Sequence, residues 1–238
     1  MKLIGITGPA GSGKSTAASI LEKKHGFAAV ALADPMKRAL RDWYGWSEET
    51  LWGPSSFRNA EDTRLPIMTC TCNMPARSVG NTILGDAWCL LCRRPVHVGQ
   101  KCLSARLVLQ LLGTDFGRVL HEDTWIDCGL RTAKQCEEGL DYSPTRGCFH
   151  TDPLGSLRIH EGVVIPDVRF ANEARKIREA GGSIWRIVPS QAPNKLTGGI
   201  EGHASELGIP DELVDATLVN PFDERLEVVI VEHLRSVK

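Results

Sequence analysis

The chain has 238 residues, 42% of them hydrophobic, and a formal net charge of −1 at pH 7. This length and apolar fraction fit one α/β domain with a small insertion, and the near-zero charge argues against a broad basic surface for a nucleic-acid duplex. No stretch approaches 18 uninterrupted apolar residues, so no membrane span is predicted. The first core strand begins at once, so we expect no signal peptide and a cytoplasmic location.

The first predicted elements are a strand, a glycine-rich turn and a helix. An apolar run over residues 3–7 leads into GPAGSGKS at residues 8–15, which has the spacing G-x-x-x-x-G-K-[ST]. Glycines let successive backbone N–H groups surround a phosphate, and the helix N-terminus adds partial positive charge. We therefore predict a nucleotide phosphate site in which Lys14 meets the β- and γ-phosphates and the Ser15 hydroxyl binds Mg²⁺.

Asp34 follows a second short apolar run, residues 27–32, which we predict to be a buried strand next to the first. A carboxylate at the carboxyl end of such a strand faces the ligand crevice, where it can orient or deprotonate an acceptor group. Aspartate is also a good helix cap, and Pro35 is placed to open a helix that continues over residues 37–43. The two roles are compatible.

Residues 45–66 are predicted to be irregular and are rich in tryptophan and arginine. They form either a capping loop over the core or a set of side chains that hold a base and a monophosphate.

Residues 67–102 lose apolar periodicity and gain cysteines, and we predict that they form an inserted zinc-binding subdomain within a nucleotide-binding domain at 1–66 and 103–238. Thiolates about two residues apart can chelate one tetrahedral Zn²⁺, and so short a segment needs such a staple. Cys89 and Cys92 belong to both a knuckle-like and a ribbon-like ligand scheme. The remaining two ligands are open among the following four residues: Cys70, Cys72, His97 and Cys102. A structural ion fits better than a catalytic one.

Two further helices are predicted over residues 103–120 and 121–134, and residues 135–161 are predicted to be a long exposed loop. A buried strand then ends in Asp167, as in a Walker B element, so Asp167 is a second candidate for the Mg²⁺ site. Arg169 follows at a distance that lets it reach a phosphate. Beyond a helix at 172–180 and a strand at 183–188, the Gly- and Pro-rich residues 189–202 are a candidate lid. A short helix at 202–206, a strand at 215–220 and a helix at 222–235 complete the expected α/β fold.

The segments ADPMK, LLGTDFGR, DVRFANEA and HASE, taken with the glycine-rich turn GPAGSGKS (the P-loop), resemble the deoxynucleoside monophosphate kinases of tailed phages. The resemblance covers both ends and the middle of the chain but not residues 67–102 or 135–160. It implies a three-layer P-loop kinase fold with a parallel sheet, ATP and Mg²⁺ as cofactors, and transfer of the γ-phosphoryl group to a deoxynucleoside monophosphate. Family members often pair, so a homodimer is one expected state.

The resemblance also implies roles for particular residues. The catalytic set is Lys14, Asp34, Asp167 and Arg169. The ATP phosphates and the metal are met by Gly8, Gly11, Ser12, Gly13, Lys14, Ser15 and Thr16. The nucleotide substrate is met by Asp34, Lys37, Arg118, Trp125, Arg169, Glu173, His203 and Glu206. A lid arginine is usual in nucleotide kinases, but the candidate lid holds Lys195 and no arginine. Arg186, Arg169, Arg93 and Arg94 are the remaining candidates.

Two other functions compete with this one. A dephospho-coenzyme A kinase shares the P-loop and the aspartate after the second strand, but not the DVRF and HASE runs. A non-catalytic nucleotide-binding module would instead contact nucleic acid through the cysteine-rich insertion, where Arg93, Arg94 and Lys101 lie. In that module the acceptor-side motifs would have no purpose.

Overall fold

The computed structural model describes residues 2–70, 79–81, 87–89, 96–149, 157–190 and 208–235, with the backbone alone for 68–70, 79–81, 87–89, 96–101 and 149. The chain divides into two compact units, one made of residues 1–45 and 110–238 and the other of residues 46–109. The second unit encloses the predicted insertion at 67–102, whose boundaries stay a prediction.

The described residues form the following elements. The strands are β1 (Lys2–Thr7), β2 (Phe27–Ala29), β3 (Glu61–Cys70), β4 (Val79–Asn81), β5 (Ala87–Cys89), β6 (Val96–Ser104), β7 (Asp141–Ser143), β8 (Gly147–Phe149), β9 (Gly162–Ile165), β10 (Ser183–Pro189) and β11 (Ala216–Asn220). The α-helices are α1 (Lys14–His25), α2 (Asp34–Tyr44), α3 (Glu48–Trp52), α4 (Ser55–Asn59), α5 (Ala105–Gln110), α6 (Gly117–Leu120), α7 (Thr124–Glu137), α8 (Ala171–Glu179) and α9 (Arg225–Leu234). A π-helix spans Leu111–Phe116, and a 3₁₀ turn spans Asp211–Leu213.

The first unit is built on a parallel sheet with the strand order β11-β10-β1-β9-β2. The central strand β1 is apolar on both faces, as expected for a strand covered by helices on both sides. The α/β fold class predicted from the sequence is confirmed. The expected place of β2 is wrong, because β2 pairs with β9, and β9 is the strand beside β1.

Helices cover both faces of this sheet, which gives three layers. On one face, α1 and α9 contribute Leu21 and Ile230 to an apolar cluster with Ile6 and Trp185. On the other face, α7 and α8 bring residues such as Ile126 to a cluster that includes Ile165. Because the chain leaves β1 for β2 on one side and reaches β10 and β11 on the other, the order of strands reverses at β1. The carboxyl end of β1 is therefore the expected ligand site of such a sheet.

The second unit contains more regular structure than the sequence suggested. The segment predicted to be irregular forms α3, α4 and the start of β3, with Ser47 capping α3 by accepting a hydrogen bond from the Thr50 amide. Strands β3 and β6 pair antiparallel, as do β4 and β5. The Trp46 indole is buried and donates to Asp62 Oδ2 over 2.8 Å. Arg64 donates to the same carboxylate, and these bonds lower the pKa of Asp62.

Residues 135–149 are not part of the long exposed loop that the sequence suggested for 135–161. They begin in the last turn of α7, where Cys136 is buried, and continue as the β7–β8 hairpin. Tyr142 of β7 packs against the core cluster that α7 and α8 share. Throughout the described ranges, no helix is both long enough and apolar enough to cross a membrane.

The turn between β1 and α1 is held by Asn220, at the end of β11. Its side-chain amide donates to the Ser12 carbonyl over 2.9 Å and its oxygen accepts from the Phe222 amide over 2.8 Å, with the residue only 2% exposed. Gly13 has a φ of 95°, and a Cβ added there would lie 2.1 Å from Asn220 Nδ2. Only glycine therefore fits between the turn and its support.

Gly13→Ala should lower the free energy of unfolding by about 2–4 kcal/mol, because alanine disfavours this backbone region and its Cβ collides with a buried amide. Gly181→Ala is the matched control, since Gly181 has a φ of 82° and no described heavy atom lies within 4 Å of the Cβ position. The control should cost about 1–2 kcal/mol. Urea unfolding measures both, and equal losses would contradict the role of Asn220.

Candidate active site

The glycine-rich turn occupies the carboxyl end of β1 and leads directly into α1. Gly8, Gly11 and Gly13 all have positive φ, at 140°, 75° and 95°, so the backbone curls as the spacing predicts. A Cβ at Gly8 would lie 2.2 Å from the Ile187 carbonyl of β10, which leaves the turn no room for side chains on that side. Lys14 Nζ donates to the carbonyls of Gly8 and Pro9, each over 2.7 Å, and so lies across the turn.

This turn has the properties of an anion site. Helix α1 has 12 residues, no acidic residue in its first turn and no side-chain cap on its N-terminal amides. Ser12 is fully buried, and its hydroxyl has no hydrogen-bond partner among the described residues. Ser15 and Thr16 are exposed on the first turn of the helix. Unpartnered donors with partial positive charge and a lysine suit the phosphates of a nucleotide.

Asp167 connects this end of the sheet to the turn that precedes α2. Its two carboxylate oxygens accept from the amides of Leu32 and Ala33, over 2.9 and 3.1 Å. The next amide, of Val168, donates to the Ile6 carbonyl of β1 over 3.1 Å. Burial raises the pKa of Asp167, while the Leu32 amide and the charge of Arg169 oppose that rise.

Asp34 opens α2 and is only 1% exposed. Its Oδ2 accepts from the Tyr142 hydroxyl over 2.6 Å and from the Ala31 amide over 3.3 Å, and its Oδ1 lies 3.5 Å from Lys37 Nζ. The structure thus brings together Asp34, Lys37 and the segment held by Asp167. A buried carboxylate with three donors is fixed in position, which is a requirement for aligning a reacting group.

A second buried acid, Glu173, caps the start of α8. Its Oε2 accepts from the amides of Arg169 and Phe170, over 2.8 and 3.0 Å. Burial raises the pKa of Glu173 to about 7, against the lowering effect of these amides. Arg118 Nη1 lies 3.7 Å from Glu173 Oε1, and its guanidinium lies 3.8 Å from the centre of the Phe170 ring. Arg118 also donates to Asn172 Oδ1 over 3.0 Å, so three residues of the DVRF-x-NE run surround it.

Two other predicted residues have well-defined packing roles. Trp125 of α7 donates from its indole to the Gly113 carbonyl over 2.7 Å and packs against Gly117, where a Cβ would be 2.3 Å from the ring. It thereby fixes the π-helix, which replaces the middle of the predicted helix at 103–120. Arg186, a candidate lid arginine, is tied to Asp211 and donates to the Ile209 carbonyl over 2.8 Å.

Several predictions fall outside the described residues. They are His203, Glu206, residues 191–202 of the candidate lid at 189–202, Cys72, Cys92, Arg93 and Arg94. Cys70, Cys89 and His97 lie on β3, β5 and β6, where the backbone alone is described. Within the part of the chain that the structure describes, no group of three or more His, Cys, Asp and Glu side chains is arranged to hold a metal ion.

Sequence reasoning missed Tyr142 and Asn220. The run D-Y-S-P-T-R-G-C-F places a proline and a glycine between short strands, which is a hairpin signal that would have moved Tyr142 out of a loop. Asn220 precedes a proline at the end of a strand, but only the tertiary fold places it under the glycine-rich turn.

No family model matches the chain. Over 187 residues, which are 79% of this chain and 74% of the relative, it is 37% identical to a protein of Acanthamoeba polyphaga mimivirus that is named, provisionally, a deoxynucleotide monophosphate kinase. Over 127 residues, which are 51% of this chain and 41% of the relative, it is 32% identical to the deoxynucleoside-5'-monophosphate kinase of Escherichia phage T5.

These two similarities agree with the architecture. A glycine-rich phosphate turn, a parallel sheet covered on both faces and an acidic turn at the end of β2 are what a nucleotide kinase needs. The chain belongs to the deoxynucleoside monophosphate kinase family.

Proposed function

We propose that this chain transfers the γ-phosphoryl group of ATP to the phosphate of a deoxynucleoside monophosphate, giving the diphosphate and ADP. The observation that carries the proposal is the link between two sites at one edge of the sheet. The glycine-rich turn with Lys14 ends β1, and the turn with Asp34 follows β2. The segment from Asp167 to Val168 bonds both to the end of β1 and to the turn after β2.

In the proposed reaction, an oxygen of the acceptor phosphate forms a bond to the γ-phosphorus as the bond to the β–γ bridging oxygen breaks. Backbone amides of residues 8–13 and Lys14 hold the donor phosphates, and Lys37 and Arg169 supply positive charge on the acceptor side. Such transfer depends on positioning and charge stabilisation more than on covalent catalysis. Arg118, Glu173 and Trp125 support the acceptor side by fixing the start of α8 and the π-helix. His203 and Glu206 stay predictions from the resemblance.

The burial of Asp34 favours a phosphate acceptor over an alcohol. An alcohol acceptor, as in dephospho-coenzyme A, must lose a proton to a base, whereas a phosphate monoester is already largely ionised at pH 7. A carboxylate that is 1% exposed and bonded to Tyr142, Lys37 and a backbone amide is well suited to orienting Lys37. It is poorly placed to receive a proton from a bound alcohol.

The residues present also fit a magnesium ion. Ser15, whose side chain is exposed, is the residue expected to hold the ion through its hydroxyl. Asp167, which follows β9, is the second candidate. Both Asp167 oxygens already accept one amide each, so Asp167 would act on a bound ion through its charge or through an intervening water. When bound, the ion would neutralise charge on the transferred phosphate group.

The proposal is tested by an ATP-coupled assay across nucleoside and deoxynucleoside monophosphates, with dephospho-coenzyme A as a further acceptor. We expect turnover on at least one deoxynucleoside monophosphate and none on dephospho-coenzyme A, since the acceptor side is built around a phosphate. Lys14→Ala should lower kcat by about 100-fold or more, because it removes a charge that stabilises the transition state. Lys23→Ala, which changes an exposed lysine of α1, should leave kcat unaltered.

Three results would contradict the proposal. Turnover on dephospho-coenzyme A alone would identify an alcohol kinase. ATP binding without acceleration by any acceptor would favour a non-catalytic module. Wild-type turnover in Lys14→Ala would show that the donor site lies elsewhere.

Asp34→Asn should lower kcat about tenfold or more while the KM for ATP changes by less than about twofold, because a hydrogen-bonded charge on the acceptor side is lost. Asp42→Asn is the matched control on the same helix, since Asp42 is exposed and its 3.4 Å pair with Arg41 contributes little. Steady-state kinetics with each substrate varied measures both. A change confined to the KM for ATP would place Asp34 on the donor side.

We also propose that Cys89 and Cys92 hold a structural Zn²⁺ with two of Cys70, Cys72, His97 and Cys102. The backbone register supports a compact segment, with β4 opposite Cys89 in β5, and with Cys70 opposite Val96 and Thr69 opposite His97 in the β3–β6 pair. The β4–β5 pair has only three residues in each strand, and a bound metal ion would stabilise so short a pair.

Metal analysis of purified protein should find about one zinc per chain, and Cys89→Ser with Cys92→Ser should reduce it below about half. Cys128→Ser, in α7, is the control and should retain the metal. Wild-type protein that contains less than about half a zinc per chain would contradict the site.

A further inference from the structure

The β7–β8 hairpin lies against α2, the helix that begins with Asp34. Arg38 donates to the Pro144 carbonyl over 2.8 Å, and Arg41 donates to the Thr145 carbonyl over 2.9 Å. These two arginines are three residues apart on α2 and therefore share a face of the helix. Together with a contact to Asp34, these bonds fix the hairpin along about the first two turns of α2.

The third contact of the hairpin is with Asp34 itself. The Tyr142 hydroxyl donates to Asp34 Oδ2 over 2.6 Å, which is a typical length for a bond between a hydroxyl and a carboxylate. Burial, with the Asp34 charge as the next cause, raises the pKa of Tyr142, so the hydroxyl keeps its proton and remains a donor at neutral pH. Its ring packs against the core, so the hydroxyl is held in place.

We propose that Tyr142 is a positioning residue for phosphoryl transfer, which acts by fixing the Asp34 carboxylate beside Lys37. The hairpin that carries it lies outside the segments on which the family resemblance rests. The role rests on the proposed function, because it assigns Tyr142 to the acceptor half of that site.

The hydrogen bond from the Tyr142 hydroxyl fixes Oδ2 of Asp34, and the other oxygen, Oδ1, lies 3.5 Å from Lys37 Nζ. Without the tyrosine hydroxyl, Oδ2 loses its 2.6 Å bond and keeps the longer bond from the Ala31 amide, at 3.3 Å, so the carboxylate is held less firmly beside the lysine. The charge near the acceptor would then be less well oriented, which affects the transferring phosphate more than ATP binding at the glycine-rich turn.

Tyr142→Phe should lower kcat for a deoxynucleoside monophosphate by about tenfold, as expected for loss of one hydrogen bond to a charged group, with the KM for ATP altered less than about twofold. Phenylalanine keeps the ring and its packing, so thermal unfolding should remain cooperative. Tyr44→Phe is the matched control: Tyr44 is the other tyrosine of the chain, it ends α2, and the proposed reaction gives its hydroxyl no role.

A double-mutant cycle separates positioning of Asp34 from general support of the fold. In the Asp34→Asn background, adding Tyr142→Phe should lower kcat by less than about twofold, because the carboxylate that it positions is already absent. Multiplicative losses would contradict the proposal, as would an unaltered kcat in Tyr142→Phe or an equal loss in Tyr44→Phe. Wild-type protein inactive on every deoxynucleoside monophosphate would overturn the proposed function and this role with it. An active wild type with an unaltered Tyr142→Phe overturns the role alone.

Discussion

The site depends on the hydrogen bonds that the Asp167 carboxylate accepts from backbone amides. This carboxylate accepts hydrogen bonds from the amides of Leu32 and Ala33, in the turn between β2 and α2, while the adjacent Val168 amide donates to the Ile6 carbonyl of β1. One short segment after β9 therefore fixes the end of β1 and the turn after β2, and these two strands are not neighbours in the sheet. The cost of burying a carboxylate is visible in the raised pKa of Asp167, and the two amide bonds compensate for part of that cost.

The buried acids repeat one pattern, in which backbone amides rather than arginines provide the first partners. Glu173 accepts two amides at the start of α8, and Asp34 accepts the Ala31 amide together with a tyrosine hydroxyl. Amides fixed by secondary structure cannot reorient, so each carboxylate inherits the rigidity of the strand or helix end that holds it. Lys37 Nζ lies 3.5 Å from Asp34 Oδ1, and Arg118 Nη1 lies 3.7 Å from Glu173 Oε1, so each acid is close enough to orient a positive side chain.

The parts of the fold that were predictable from sequence have local signals. The glycine-rich turn, the helix after it and the strand before Asp167 follow from spacing and apolar runs within about ten residues. The position of β2 beyond β9 depends on pairing between segments over a hundred residues apart, which no local pattern encodes. For the same reason Tyr142 and Asn220 were missed, since each acts on a residue far away in the chain. The sequence predicts an ordinary helix at Leu111–Phe116, because the apolar spacing of an α-helix and a π-helix is similar. The bond from Trp125 of α7 to the Gly113 carbonyl, which fixes the π-helix, has no local signal.

The position of the hairpin links it to the buried carboxylate that begins α2. Helix α2 begins at the buried Asp34 and is covered along one face by Tyr142, Pro144 and Thr145, none of which belongs to the segments that resemble phage kinases. A relative without such a hairpin must satisfy the buried carboxylate at the start of α2 by other means, since a buried charge without partners is costly, and its half-buried Arg38 and Arg41 would lose these two carbonyl acceptors. The residues at positions 38 and 41 and the hairpin are therefore expected to be present or absent together, while the glycine-rich turn and Asp167 are independent of them.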